Sequence, residues 1–279
     1  IEDWLRDPYT IYAKHVLRLT PLDAIDADPG AAARGTFIHA AIGDFTKLFP
    51  TRLPADPAAE LIKLGLKHFA ALAEFPEARA FWWPRFERIA HWFARWELER
   101  HPAISAIAAE LKGEIEIPLA ESAFRLRGIA DRIERDGDGR YVILDYKTGL
   151  ARTEKQVRMG LAPQLTLEAA ILRKGGFDGI PANAPVAELV YVLLKGGEPA
   201  GEAKPLKWKQ GTPELHADRA LERLTKLARC FEDESTPYRS LVHPMWSTHY
   251  GTYDHLARVK EWSSTGGASG DGSNSGSGE

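Results

Sequence analysis

The chain reads as an α/β protein, a central sheet flanked by helices, and three observations predict that class. Apolar residues recur at helical spacing through most of the stretch from Ile1 to Arg100. Strand-like alternation then takes over in three closely spaced segments. Beyond them a helix, another strand and a further helix follow in turn. That order buries its apolar faces best as a sheet covered by helices.

The elements follow in order. Helices are expected over Ile1–Leu17, Ala31–Phe49, Pro57–Ala73 and Glu77–Arg100. In the second of these Ile38, Ala41, Ile42, Phe45 and Phe49 form an apolar stripe. The last carries Trp82, Trp83, Phe86, Trp92, Phe93 and Trp96, an aromatic stripe suited to packing helices together rather than to stacking on bases. Strands are expected at Glu110–Pro118, Phe124–Glu134 and Tyr141–Lys147, followed by a helix from Pro163, whose fixed φ suits a first turn. A strand at Val186–Leu194, a helix at Pro213–Phe231 and a short helix from Tyr253 complete the series. With 279 residues the chain can bury a full core. We expect one domain over 1–262, helical to about 105 and carrying its chemistry in the remainder. A Gly/Ser-rich tail over 263–279 has the composition of disorder.

The chemistry concentrates in one hairpin. Arg127-Gly128-Ile129-Ala130-Asp131-Arg132-Ile133 and Ile143-Leu144-Asp145-Tyr146-Lys147-Thr148-Gly149 flank an Asp/Gly-rich turn at Arg135–Arg140. Side chains two apart on a strand share a face. Tyr141, Ile143, Asp145 and Lys147 therefore project one way, and Val142, Leu144 and Tyr146 the other. Asp131 lines up with Ile129 and Ile133. If the faces coincide, two carboxylates and one ammonium converge. Carboxylates about 4 Å apart repel by roughly 4 kcal/mol at an effective dielectric near 20. A divalent cation relieves that repulsion, and oxygen ligands favour Mg²⁺ or Mn²⁺ over Zn²⁺. Lys147 would then face whatever the ion holds, positioning water or neutralising growing negative charge. Such a set suits metal-assisted hydrolysis of a phosphodiester. An Asp-x-Lys strand also occurs as an exposed, salt-bridged edge of small energetic weight. The apolar run Val142-Ile143-Leu144 instead marks a strand buried on both faces.

The pattern G-x-x-D-R-I from Gly128, an Asp/Gly turn and then D-Y-K-T-G from Asp145 resembles the RecB-type branch of the PD-(D/E)XK nucleases. Three further features match in order. Arg34-Gly35-Thr36-Phe37-Ile38-His39 resembles the R-G-x-x-x-H helix, Glu110 the acidic position ahead of the first strand, and Gln164 the start of the Q-x-x-x-Y helix. Within that branch the likeness is closest to the C-terminal nuclease domain of the B subunit of AddAB-type helicase–nucleases. Trp4-Leu5-Arg6-Asp7-Pro8-Tyr9 and Tyr253–Arg258 carry the likeness across nearly the whole chain.

The resemblance implies a restriction-endonuclease-like mixed sheet with an N-terminal helical insertion. It also implies a Mg²⁺- or Mn²⁺-dependent deoxyribonuclease acting on single-stranded DNA, beside an AddA-type helicase–nuclease subunit, in double-strand break repair and recombination. Asp131 and Asp145 would hold the metal, joined by His39 and the Tyr146 carbonyl, with Glu110 a ligand or a partner of one. Lys147 would orient the attacking water and Gln164 would contact the substrate. Arg34, Arg152 and Lys155 are expected to touch the DNA. Gly35, His39 and Gly43 fall four apart, a lane of little bulk that would let the imidazole approach the sheet.

Two departures stand out. Glu168 occupies the place of the Tyr in Q-x-x-x-Y. Relatives that carry an iron–sulfur cluster use four cysteines, whereas Cys230 is the only one here and Asp7 precedes Pro8, so no cluster can form. Cys230 is expected as a buried or half-buried thiol, with Trp4, Tyr9 and Tyr12 anchoring the start of the chain. The missing cysteines also weigh against a stand-alone Cas4-like exonuclease. A silent DNA-channelling scaffold of the same fold remains the competing class, and the full His39, Asp131, Asp145 and Lys147 set weighs against it.

A net charge of −3 excludes binding of nucleic acid by bulk charge alone. Local clusters exist at Arg152, Lys155 and Arg158, and at Lys204, Lys207 and Lys209 around Trp208. No phosphate loop of the G-x-x-x-x-G-K-[ST] type is present, so no nucleotide cofactor is expected in this segment. The lack of a span-length apolar run and of a cysteine framework fits a cytoplasmic protein without membrane contact.

Overall fold

The computed structural model describes residues 1–21, 30–150, 152–240 and 252–258. The tail expected over 263–279 lies outside them. The chain forms two compact units, one of Ala24–Glu232 and one of Ile1–Asp23 with Asp233–Glu279.

The smaller unit opens with helices α1 (Glu2–Arg6) and α2 (Pro8–Ile11) and a π-helical turn at Tyr12–Val16. The single helix expected over Ile1–Leu17 is thus broken. Asp7 lies outside helical geometry at φ −147°, and Pro8 starts a new helix at its first position, where its missing N–H costs nothing. Tyr12 lies between Tyr9 and Tyr238, with ring centroids 6.2 and 5.6 Å away. The Tyr253 hydroxyl donates to the Leu19 carbonyl at 2.6 Å. Residues 252–258 form turns rather than the expected closing helix.

In the larger unit, helices α3 (Ala31–Leu48), α4 (Pro57–Phe69) and α5 (Pro76–Arg100) precede the strands. Asp56 caps α4 by accepting from the Ala59 N–H at 3.0 Å. Strands β1 (Ile104–Pro118), β2 (Ala123–Asp136) and β3 (Tyr141–Lys147) form an antiparallel meander. Short α6 (Glu154–Arg158) and α7 (Gln164–Arg173) then lead to β4 (Val186–Leu194), which pairs parallel with β3. Strand β5 (Gly201–Pro205) adds antiparallel to β4, and α8 (Pro213–Glu232) follows. The sheet order is β1-β2-β3-β4-β5. This is the expected mixed sheet between helices, the restriction-endonuclease-like arrangement.

Sequence reading missed α6 and β5. Both are five residues long, too short for a periodic signal. Strand β5 takes up Lys204, which pairs with Glu202 at 3.2 Å. Trp208 stacks on His216 with centroids 4.0 Å apart. Cys230, expected buried or half-buried, is exposed on α8; its position falls outside the buried stripe of Ala217, Ala220, Leu224 and Ala228.

The two faces of β3 separate core from chemistry. Val142, Leu144 and Tyr146 join Val190, Val192 and Leu194 of β4 in a cluster with Ile38, Phe45, Leu61, Phe86 and Phe93 from α3, α4 and α5. Each such aliphatic or aromatic side chain contributes roughly 1.5–3 kcal/mol by leaving water. The aromatic stripe of α5 is core, as expected. Asp145 projects the other way, toward α7.

Candidate active site

Register brings the acidic positions together. Pairs Ala109↔Arg132 and Leu111↔Ala130 set Glu110 opposite Asp131. The pair Arg132↔Leu144 ends the β2–β3 ladder, so Asp131 comes next to Asp145. The two aspartates do share a site, with the charge of Asp131 acting on Asp145. Asp131 stands where the ladder stops and uses its carboxylate in place of a strand: Oδ2 accepts the Tyr146 backbone N–H at 2.8 Å. The N–H and C=O of one strand residue point to the same side. The Tyr146 carbonyl therefore also faces the gap where β2 has left β3.

Asp145 is 1% exposed. Its Oδ1 accepts from Gln164 Nε2 at 2.6 Å and from Lys147 Nζ at 3.0 Å. Oδ2 lies 2.8 Å from Lys147 Nζ as an ion pair. It has no well-directed hydrogen-bond donor. Burial pushes the Asp145 carboxyl up to about 6, Lys147 works against that shift, and Asp131 adds to it. A buried anion with an under-served oxygen beside a second carboxylate is a place where a cation would relieve a cost.

His39 reaches this point from α3, its Nδ1 3.6 Å from Asp131 Oδ2 and its ring edge-on to Tyr146 with centroids 6.1 Å apart. The small-residue lane of α3 works as expected in outline, with particular neighbours. A Cβ on Gly35 would stand 3.0 Å from Thr148 Oγ1, and one on Gly43 would stand 2.3 Å from Glu110 Oε1. Arg34 donates to the Thr148 carbonyl at 3.4 Å, so it braces the loop after β3.

Glu110 has φ +50°, a left-handed backbone within a strand, and that costs on the order of 1–3 kcal/mol for a residue with a Cβ. Its carboxylate lies over Gly43 and pairs with Lys47. Arg152 is half-buried before α6, and Lys155 is exposed on α6, which a Thr153–Gln156 capping box fixes beyond the loop.

Glu168, which stands in the place of the Tyr in Q-x-x-x-Y, belongs here. It is 4% exposed, and its Oε1 accepts from Gln164 Nε2 at 3.2 Å. Burial holds its carboxyl well above the usual carboxylate range, with Asp145 adding to the shift. The i, i+4 spacing from Gln164 was the available signal.

Among the described residues no three His, Cys, Asp or Glu side chains already stand as a metal cage. The donors nevertheless fit a hard divalent cation by chemistry. Asp131, Asp145 and the Tyr146 carbonyl supply oxygen, His39 an imidazole, and the Asp145 oxygen lacks a directed donor.

Comparison with known proteins agrees with the geometry. A family profile described as the PD-(D/E)XK nuclease superfamily matches residues 1–243. An uncharacterized protein of Rickettsia bellii is 27% identical over 270 residues, which is 92% of this chain and 31% of that protein. Uncharacterized proteins of Rickettsia typhi and Rickettsia felis are 33% and 32% identical over 183 residues, 64% of this chain and 21% of each relative. The chain thus spans about a third or less of the curated relatives it matches. A solved structure titled as that of SSO0001 aligns over 82% of this chain and 90% of its own, with a TM-score of 0.29 and 10% identity. No described helix is long and apolar enough to cross a membrane.

Proposed function

Because the chain belongs to the PD-(D/E)XK nuclease superfamily, we propose that it is a Mg²⁺- or Mn²⁺-dependent deoxyribonuclease that hydrolyses phosphodiesters of single-stranded DNA. The observation that carries this reading is the convergence of Asp131, Asp145 and Lys147, with the ammonium 2.8 Å from a carboxylate otherwise buried. Asp131, Asp145, His39 and the Tyr146 carbonyl would hold the metal. When bound, that ion supplies Lewis-acid stabilisation of phosphoryl charge and a more acidic water.

The chain's own groups do the rest. An ammonium has three protons. Asp145 and Gln164 Oε1, the latter at 3.0 Å, engage two of them, leaving one for the attacking water or a phosphate oxygen. Gln164 therefore serves first to hold Lys147 and Asp145, and meets substrate from that position. Arg34 steadies the loop that follows Lys147, and Arg152 and Lys155 are the cations we assign to the DNA backbone. The finer placement, in a helicase–nuclease complex of the AddAB type with an AddA-type partner acting in break repair, rests on the sequence resemblance.

A time course on end-labelled single-stranded DNA tests the reading, with Mg²⁺, with Mn²⁺ and with EDTA. Cleavage should require the metal, and Lys147→Ala should lower turnover by about 10²–10³-fold, the scale of removing one preorganised electrostatic contact. Equal rates in the variant and the wild type would refute the assignment of Lys147. A wild type that binds DNA and leaves it intact would favour the scaffold.

A further inference from the structure

We infer that Glu168 is a positioning residue that, through Gln164, fixes where the Lys147 ammonium and the Asp145 carboxylate stand. The inference rests on the nuclease reading and adds a residue to it. Gln164 Nε2 has two hydrogens, and both are used: one goes to Asp145 Oδ1 at 2.6 Å and one to Glu168 Oε1 at 3.2 Å. Its Oε1 accepts from Lys147 Nζ at 3.0 Å. The chemistry of the partners forbids the flipped amide. An ammonium can only donate, and Asp145 beside it accepts, so the carbonyl must face Lys147 and the NH₂ must face the acids.

Asp145 alone would leave one Nε2 hydrogen unanswered in a half-buried place and the amide free to rock about its remaining contacts. Glu168 supplies the third point. It can do so from one turn along α7, at i, i+4, because it is itself buried, 4% exposed, and packed beside Gly128 of β2, where a Cβ would come 3.8 Å from its Cγ. Its other oxygen, Oε2, is buried without a hydrogen-bond partner.

Two measurements on the full chain test this. The first needs no activity: side-chain ¹H–¹⁵N spectra of the metal-free protein, with the Gln164 signals assigned by their loss in Gln164→Leu. Wild type and Glu168→Gln should show two distinct Gln164 amide hydrogens protected from exchange by about tenfold or more over surface glutamines, and Glu168→Met should lose that protection. The second is steady-state cleavage. Glu168→Met should lower kcat about tenfold with KM within about twofold, and Glu168→Gln, which keeps an acceptor, should restore kcat to within about threefold of wild type. Fast exchange of the Gln164 amide in wild type would overturn the proposal even if Glu168→Met failed to fold. So would equal kcat losses in the Gln and Met variants, or no loss in Met. Absence of cleavage by the wild type, with the Gln164 amide protected as expected, would instead reject the nuclease reading and leave the clamp standing.

Discussion

Strands β2 and β3 carry two buried charged clusters back to back, and they are built on opposite principles. Arg132, next to Asp131 in the chain and 1% exposed, lies on the helix side. It bonds Glu97 of α5 through both terminal nitrogens and stands 2.7 Å from Glu134 by its Nε. Arg100 adds three hydrogen bonds to Glu134, the shortest 2.6 Å. Arg100 and Arg132 also lie 5.5 and 5.7 Å from the Trp96 ring. Two guanidiniums answer two carboxylates. Burial disfavours the charge on Arg132, yet Tyr146, Glu97 and Glu134 outweigh it and hold the group firmly protonated. On the other side, Asp131, Asp145 and Glu168 face one ammonium, and Asp145 and Glu168 are both pushed toward their protonated forms. The first cluster is closed and neutral, the mark of architecture. The second is unbalanced, as the cation and phosphodiester site proposed above would require.

Breaking the closed cluster should have the largest effect on the fold. Arg132→Met strands Glu97 and part of Glu134 without a cation, and should destabilise the protein by about 3–5 kcal/mol. Thermal unfolding followed by circular dichroism would show it, with metal making no difference to the loss.

Asp145→Asn should do the reverse to stability while abolishing cleavage. Burial pushes the folded carboxyl up to about 6 from an ordinary value of 3.8. Its raised value means that the folded state keeps the proton after the unfolded chain has lost it. Stability in EDTA should therefore fall as pH rises between those values, by on the order of 3 kcal/mol from this group. Above pH 6 the variant should unfold at a higher temperature than wild type, and Mg²⁺ or Mn²⁺ should narrow the gap by stabilising wild type alone. Parallel melting curves for the two proteins from pH 4 to 8 would contradict the unbalanced-cluster account.

The smallest effect is expected at Gly43→Ala. The new Cβ would displace Glu110 from Lys47, an exposed pair worth about 1 kcal/mol at most, while Ala regains about as much helix propensity. The unfolding midpoint should barely move, and turnover should fall a few-fold if the lie of Glu110 matters to the site. Unchanged turnover would confine Glu110 to tying β1 to α3.

The hairpin with its two aspartates was legible because alternation and an Asp/Gly turn are local signals, and β3 begins and ends where they place it. His39 was legible only through a motif, since a lone helical imidazole has no periodic signature. The left-handed Glu110 and the closed Arg132 cluster had no comparable signal, and the i, i+4 spacing of Gln164 and Glu168 signals only that the two share a helix face. Each depends on which distant side chain arrives beside it: Lys147 and Glu168 for Gln164, Gly43 and Lys47 for Glu110, and Glu97 for Arg132.

By itself, then, the sequence determined the mixed α/β class and the alternation that sends Leu144 and Tyr146 into the helical core and Asp145 away from it. Period-two geometry is a property of the strand alone. Only tertiary structure decided which buried charges are balanced and which are left wanting, and it buried Glu168 against the Gln164 amide. Burial and counter-charge are set by neighbours from other elements, and no spacing along the chain records them.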